Sequence, residues 1–192
     1  MARTKEFSPD AALQAAMELF WQKGYEATSV ADLVEHLGIG RGSLYATFGD
    51  KHQLYLAALQ RYLETQPPIL ELLSQPGPVL PAVRALVERY AEEAAGDRQR
   101  RGCMVVNAAV ERLPADRHVA RLVEGSWDRL ETALTSALIR AQAQGELSPD
   151  KCPQALARYL LVVLQGLRVV GKGEASANRL RDAAQQALAV LE

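Results

Sequence analysis

Apolar residues recur along this chain at helical rather than strand spacing. Ala12, Ala15, Ala16, Leu19 and Phe20 fall three and four apart behind Ser8, Pro9 and Asp10, and Gly24 follows them. An N-cap candidate, a proline in the first turn and a terminal glycine predict a helix of about four turns. Thr28-Ser29 opens a second helix that ends at Gly38, a third runs from about Arg41 to Phe48, and Gly49-Asp50 caps a fourth that reaches roughly Thr65. Pro67-Pro68 and Pro76-Gly77-Pro78 then interrupt the chain, because proline fixes φ and removes a donor. Further helices are expected at about 79–95, 103–112, 115–144, 153–170 and 176–191, with Gly96, Pro114, Gly145 to Pro149 and Gly171 to Gly173 between them. Alternation bounded by hairpin turns appears nowhere, so the expected fold class is all-α. Three compact helices in residues 1–52 read as one domain. Helix four, about 50–65, is a connector, and 53–192 form a second domain of longer helices.

Residues 28 to 51 carry the most specific pattern. Val30, Leu33, Val34 and Leu37 share one apolar face, Gly38 ends that helix, and Ile39, Leu44 and Phe48 continue a buried face on the next. Two helices joined by a short turn containing glycine make a helix-turn-helix, with Gly38 where a left-handed residue is needed. The second helix leaves Arg41, Gly42, Ser43, Tyr45, Ala46 and Thr47 pointing outward, all small, hydroxylated, aromatic or cationic. Small residues let a backbone approach base edges, arginine pairs with guanine, and hydroxyls reach phosphates. Thr28 and Ser29, at the start of the preceding helix, offer hydroxyls and amides where the helix dipole favours an anion. Lys51 is placed to clamp a phosphate. The bland reading is that Tyr45 is core and Arg41 an ordinary solvated charge.

Composition narrows the classes further. The 192 residues are 48% hydrophobic and carry a formal net charge of −1, which excludes a disordered chain and a generally basic coat for nucleic acid. Residues 1–52 hold Arg3, Lys5, Lys23, Arg41 and Lys51 against seven acids, so Glu18, Glu26, Asp32 and Glu35 must face away from any polyanion. Cys103 and Cys152 lie far apart in no CxxC or CxxH context, which argues against a disulfide scaffold and a zinc module. No metal and no cofactor is expected. The start has no apolar signal segment, and Leu160 to Leu167 is too short to span a bilayer. The chain therefore reads as cytoplasmic, without a membrane partner.

The stretch from Gly38 to Lys51 resembles the DNA-binding domain of the TetR family of bacterial regulators. Gly38, Ile39, Arg41, Gly42, Leu44, Tyr45, Phe48 and Lys51 match its pattern, as does the upstream run from Lys23 to Thr28. Val34, Gly40 and Thr47 depart from it, and these departures bear on the operator sequence rather than on DNA binding. The resemblance implies a repressor that binds a palindromic operator in double-stranded DNA as a homodimer. It also implies a C-terminal ligand-sensing and dimerisation bundle that pairs through about 153–170 and 176–191, and a small-molecule inducer.

Gly102-Cys103-Met104-Val105-Val106-Asn107 is similar to a motif in a branch of the family that answers electrophiles. There the cysteine is the reactive group and a late lysine lies near it, positions that Cys103 and Lys172 match. Cations near a thiol favour its reactive thiolate. Tyr90, Met104, Asn107 and Trp127 are further candidates for lining a pocket. The plain alternative is a buried, inert Cys103. Two other classes stand beside the regulator: a helical small-molecule-binding module without DNA contact, and an enzyme using Cys103 as nucleophile with His118 as base. No oxyanion element or orienting acid accompanies that pair, so the chain is not expected to be an enzyme.

Overall fold

In the computed structural model the described residues are 7–173 and 177–192, and all regular structure among them is helical. The helices are α1 (Pro9–Lys23), α2 (Val30–Leu37), α3 (Arg41–Phe48), α4 (Lys51–Glu64), α5 (Ile69–Leu73), α6 (Val79–Gly96), α7 (Met104–Arg112), α8 (Arg117–Ala143), α9 (Pro153–Val170) and α10 (Ala177–Ala189). Most bounds agree with the spacing. The short α5 was not expected, because prolines on both sides hide one apolar turn, Ile69 to Leu73. The expected start of the last helix at residue 176 lies outside the described residues, as do Arg3 and Lys5.

Contacts divide the chain into two compact units. One runs to Gln66 and also takes Asn107–Val123; the other comprises Pro67–Val106 and Glu124–Glu192. This division differs from the expected break at residue 52, and the reason is packing. In the first unit α4 buries Leu54, Tyr55, Ala58, Leu59 and Tyr62, and α1 buries Ala12, Ala16, Met17, Leu19 and Phe20. Phe20 meets the Tyr55 ring edge to face at 5.1 Å. Leu33 of α2 and Leu44 of α3 are fully buried, so each short helix of the turn motif is anchored by a single leucine. Burial of each is worth about 1.5–3 kcal/mol. Arg61 of α4 pairs with Asp10 at the start of α1.

The second unit has its own core. Val83, Leu86, Val87 and Tyr90 from α6 meet Leu134 and Leu138 from α8, Leu160, Leu164 and Leu167 from α9, and Leu180, Ala184 and Leu188 from α10. Glu146, in the loop after α8, accepts hydrogen bonds from the Val79 and Leu80 amides at 2.9 Å. It supplies the anionic cap that Pro78 lacks at the N-terminus of α6. Leu180, Ala184, Leu188 and Leu191 join this core and Ala187 is also buried, while Ala183 is exposed. On α9, Leu160, Leu164 and Leu167 are likewise buried, while Tyr159, Val162, Val169 and Val170 remain exposed.

Candidate nucleic-acid interface

Ser29 is the N-cap of α2, with a reciprocal capping box. Its hydroxyl accepts from the Asp32 amide at 3.0 Å and donates to the Asp32 carboxylate at 2.6 Å, while the Ser29 amide donates to the same carboxylate at 2.7 Å. These bonds from Ser29, with the Lys23 ammonium, hold the Asp32 carboxyl at about 2. Gly38 closes α2 in the left-handed region, at φ 63° and ψ 28°, a conformation that costs a residue with a Cβ roughly 1–2 kcal/mol. Gly40 is the N-cap of α3 and provides no side-chain bond, so the first amides of that helix carry no intrachain side-chain cap.

The outward face of α3 is as the spacing predicts. Arg41, Gly42, Tyr45, Ala46 and Thr47 are exposed, Ser43 is half-buried, and Leu44 points into the core. Arg41 donates from Nε and Nη2 to the Tyr45 hydroxyl, both at 3.3 Å, so Tyr45 is a surface partner of Arg41 and not core. Lys51 opens α4 with its ammonium 4.2 Å from the centre of the Tyr25 ring. Thr28 requires a correction. It is wholly buried, and its hydroxyl donates to the Gly24 carbonyl at 2.6 Å. The loop turns this side chain inward, and the hydroxyl serves the loop rather than a phosphate.

Three of the four acids near this surface have side-chain partners. Glu26 pairs with Arg112, Asp32 with Lys23 at 3.1 Å, and Glu18 accepts from Gln14. Lys23 is already among the five cations counted, so the charge brought in from outside residues 1–52 is Arg112, which offsets one carboxylate of the local excess.

The sensing candidates are only partly gathered. Cys103 is buried, and the Nη1 of Arg168 lies 2.8 Å from its sulfur. The same guanidinium stacks over the ring of the buried Tyr90 at 4.2 Å. Burial raises the Tyr90 hydroxyl above its ordinary value, and the Arg168 charge works against that rise. The Lys172 stem covers the backbone of Gly102: a Cβ there would fall 2.7 Å from its Cγ. Met104 is buried beside this cluster in sequence, and Asn107 belongs to the other compact unit. Trp127 is on α8, and its buried indole N–H has no acceptor among the described residues. His118 lies in the first unit, with its ring 6.0 Å from that of His52; Cys103 has Arg168 as its neighbour. Spacing could have found Arg168, which stands four residues before Lys172. No group of three or more metal-binding side chains occurs among the described residues, and no described helix is long and apolar enough to cross a membrane.

Known proteins place this architecture. Residues 12–58 match the family model described as bacterial regulatory proteins, tetR family, and residues 79–189 match that of the tetracyclin repressor-like C-terminal domain. The chain is 39% identical over 194 residues to the HTH-type transcriptional regulator YezE of Bacillus subtilis, with all of both chains covered. It is 33% identical over 180 residues to the HTH-type transcriptional repressor ComR of Escherichia coli, covering 93% of this chain and 86% of that one. A cysteine-substituted form of the regulator CifR, complexed with 26-bp double-strand operator DNA, superposes with a TM-score of 0.86 at 31% identity over the whole of both chains. The chain belongs to the TetR family and is a helix-turn-helix transcriptional regulator of that type.

Proposed function

We propose that this TetR-type repressor acts in the cytoplasm as a homodimer, each protomer laying α3 in the major groove of one half of a palindromic operator. The observation that carries this reading is the exposed, acid-free face of α3, held by Leu44 and presented after the Gly38 turn. Arg41 is the base-reading cation and Tyr45 orients it. Gly42 admits close approach, Ser43 and Thr47 bond the backbone, and the Ser29 region and Lys51 hold flanking phosphates. The exposed apolar residues of α9, Tyr159 and Val162 foremost, supply the subunit contact. The DNA-complexed CifR structure supports the operator reading.

The inducer acts through the region after Gln66. Cys103, with a guanidinium at its sulfur, suits a soft electrophile that alkylates that sulfur, and Lys172 and Tyr90 frame it. Modification shifts the balance between DNA-competent and released states.

Binding to duplexes selected from a random pool, measured against salt concentration, tests the DNA assignment. Arg41→Ala is expected to cost about 1–3 kcal/mol on the selected site and to relax its sequence preference. Lys51→Ala is expected to weaken selected and scrambled duplexes alike and to lower the salt slope by about one. Site-specific binding that survives both substitutions would show that α3 is not the reading helix.

A further inference from the structure

The side chain that holds the entrance to α2 comes from a distant part of the chain. Glu111, on the last turn of α7, accepts a hydrogen bond from the Tyr25 amide at 2.8 Å and from the Glu26 amide at 2.9 Å, one on each carboxylate oxygen. Gly24 makes room for it: a Cβ at that position would meet the two oxygens at 2.9 and 3.1 Å, and its φ of 86° also favours glycine. Neighbouring Arg112 pairs with Glu26 and lies over the Tyr25 ring at 4.3 Å. That ring also carries Lys51. The backbone of the same loop then bonds Thr28, immediately before the Ser29 cap.

We propose that Glu111 is a positioning residue for DNA recognition: its carboxylate locks the loop between α1 and α2, and the loop in turn fixes the N-terminus of α2 and the ammonium of Lys51. This rests on the reading that α2, α3 and Lys51 meet the duplex. Two backbone donors converging on one carboxylate, beside a glycine that admits it, form a local anion site filled by the protein's own side chain. Glu111 is also where α7 grips the recognition region. The first residues of α7, Met104–Val106, belong to the other compact unit, directly after Cys103.

The test uses the full chain and a duplex that the wild type selects from a random pool, with a scrambled duplex of the same composition as reference. Glu111→Gln replaces one acceptor oxygen by a donor facing an amide. It is expected to speed hydrogen exchange at the Tyr25 and Glu26 amides and to lower the selected-to-scrambled affinity ratio by about tenfold. Glu111→Asp keeps the charge but withdraws it from the loop, and its ratio is expected to fall between the two. Cooperative melting by circular dichroism checks that each variant is folded. A ratio within about twofold of wild type in a folded variant whose amides exchange faster overturns the proposal. Loss of cooperative melting in both variants also overturns it, because Glu111 is then a folding residue. A wild-type chain that never prefers one duplex refutes the recognition reading itself, whereas wild-type preference with an unchanged Glu111→Gln variant refutes Glu111 alone.

Discussion

Arg168 sets a guanidinium nitrogen 2.8 Å from the sulfur of Cys103. A guanidinium in contact with that sulfur is placed to stabilise the negative charge that develops there as it attacks an electrophile. In a Cys152→Ser background, Arg168→Met is expected to slow alkylation of Cys103 by iodoacetamide by roughly tenfold. Site-resolved mass spectrometry measures both rates. Equal rates in wild type and Arg168→Met would remove Arg168 from the sensing chemistry.

Asp116 confers a pH dependence on the first unit. Burial works to raise its carboxyl, but bonds from the Val119 amide, His52 and Arg112 outweigh burial and hold it at about 2, below the ordinary 3.8. A depressed value stabilises the fold above the ordinary carboxylate range, and that contribution fades as pH falls from 3.8 towards about 2. Asp116→Asn is expected to be less stable than wild type near neutrality by roughly 1–3 kcal/mol. Urea unfolding followed from about pH 6 down to about pH 2.5 should show the gap narrowing at the acid end. A gap that stays constant across the range would contradict the assignment.

Thr28 separates the two roles proposed for one hydroxyl. Its bond to the Gly24 carbonyl is internal, so Thr28→Val is expected to cost about 1–2 kcal/mol of stability. The salt slope of DNA binding should stay at the wild-type value, in contrast to Lys51→Ala. A slope reduced by about one would restore the phosphate contact.

Val162 is 70% exposed on α9 although it is fully apolar. Val162→Asp leaves the protomer core untouched, so helix content and melting are expected to hold. Sedimentation should find a monomer, and affinity for a two-half-site duplex should fall steeply, because each half-site is then bound alone. A Val162→Asp chain that remains dimeric would move the interface elsewhere.

Elements and their ends were largely legible because they depend on neighbours in the chain. Ser8, Ser29 and Asp50 cap the helices that follow them, and a cap needs only an acceptor placed before the first free amides. The exposed face of α3 followed from spacing for the same reason, since residues on one helical face recur every three or four positions. Thr28 failed because its orientation depends on the path of the Gly24 to Ser29 loop, for which periodicity offers no guide. On α10, Leu180, Ala184 and Leu188 are core. An apolar stripe says that something covers it and leaves open what does.

The near-neutral charge of the chain concealed both the acid-free surface of α3 and the pairs that silence Glu26 and Asp32. Local order along the chain determined the helices, the glycine turn and the family resemblance, because hydrogen bonds within a helix and at its caps span only a few residues. Tertiary packing decided that Glu111 and Arg112 meet Tyr25 and Glu26 across more than 80 positions, and that Arg168 reaches Cys103. Such pairs form only after several helices have buried their apolar faces together, and no spacing rule encodes which charges that burial brings side by side.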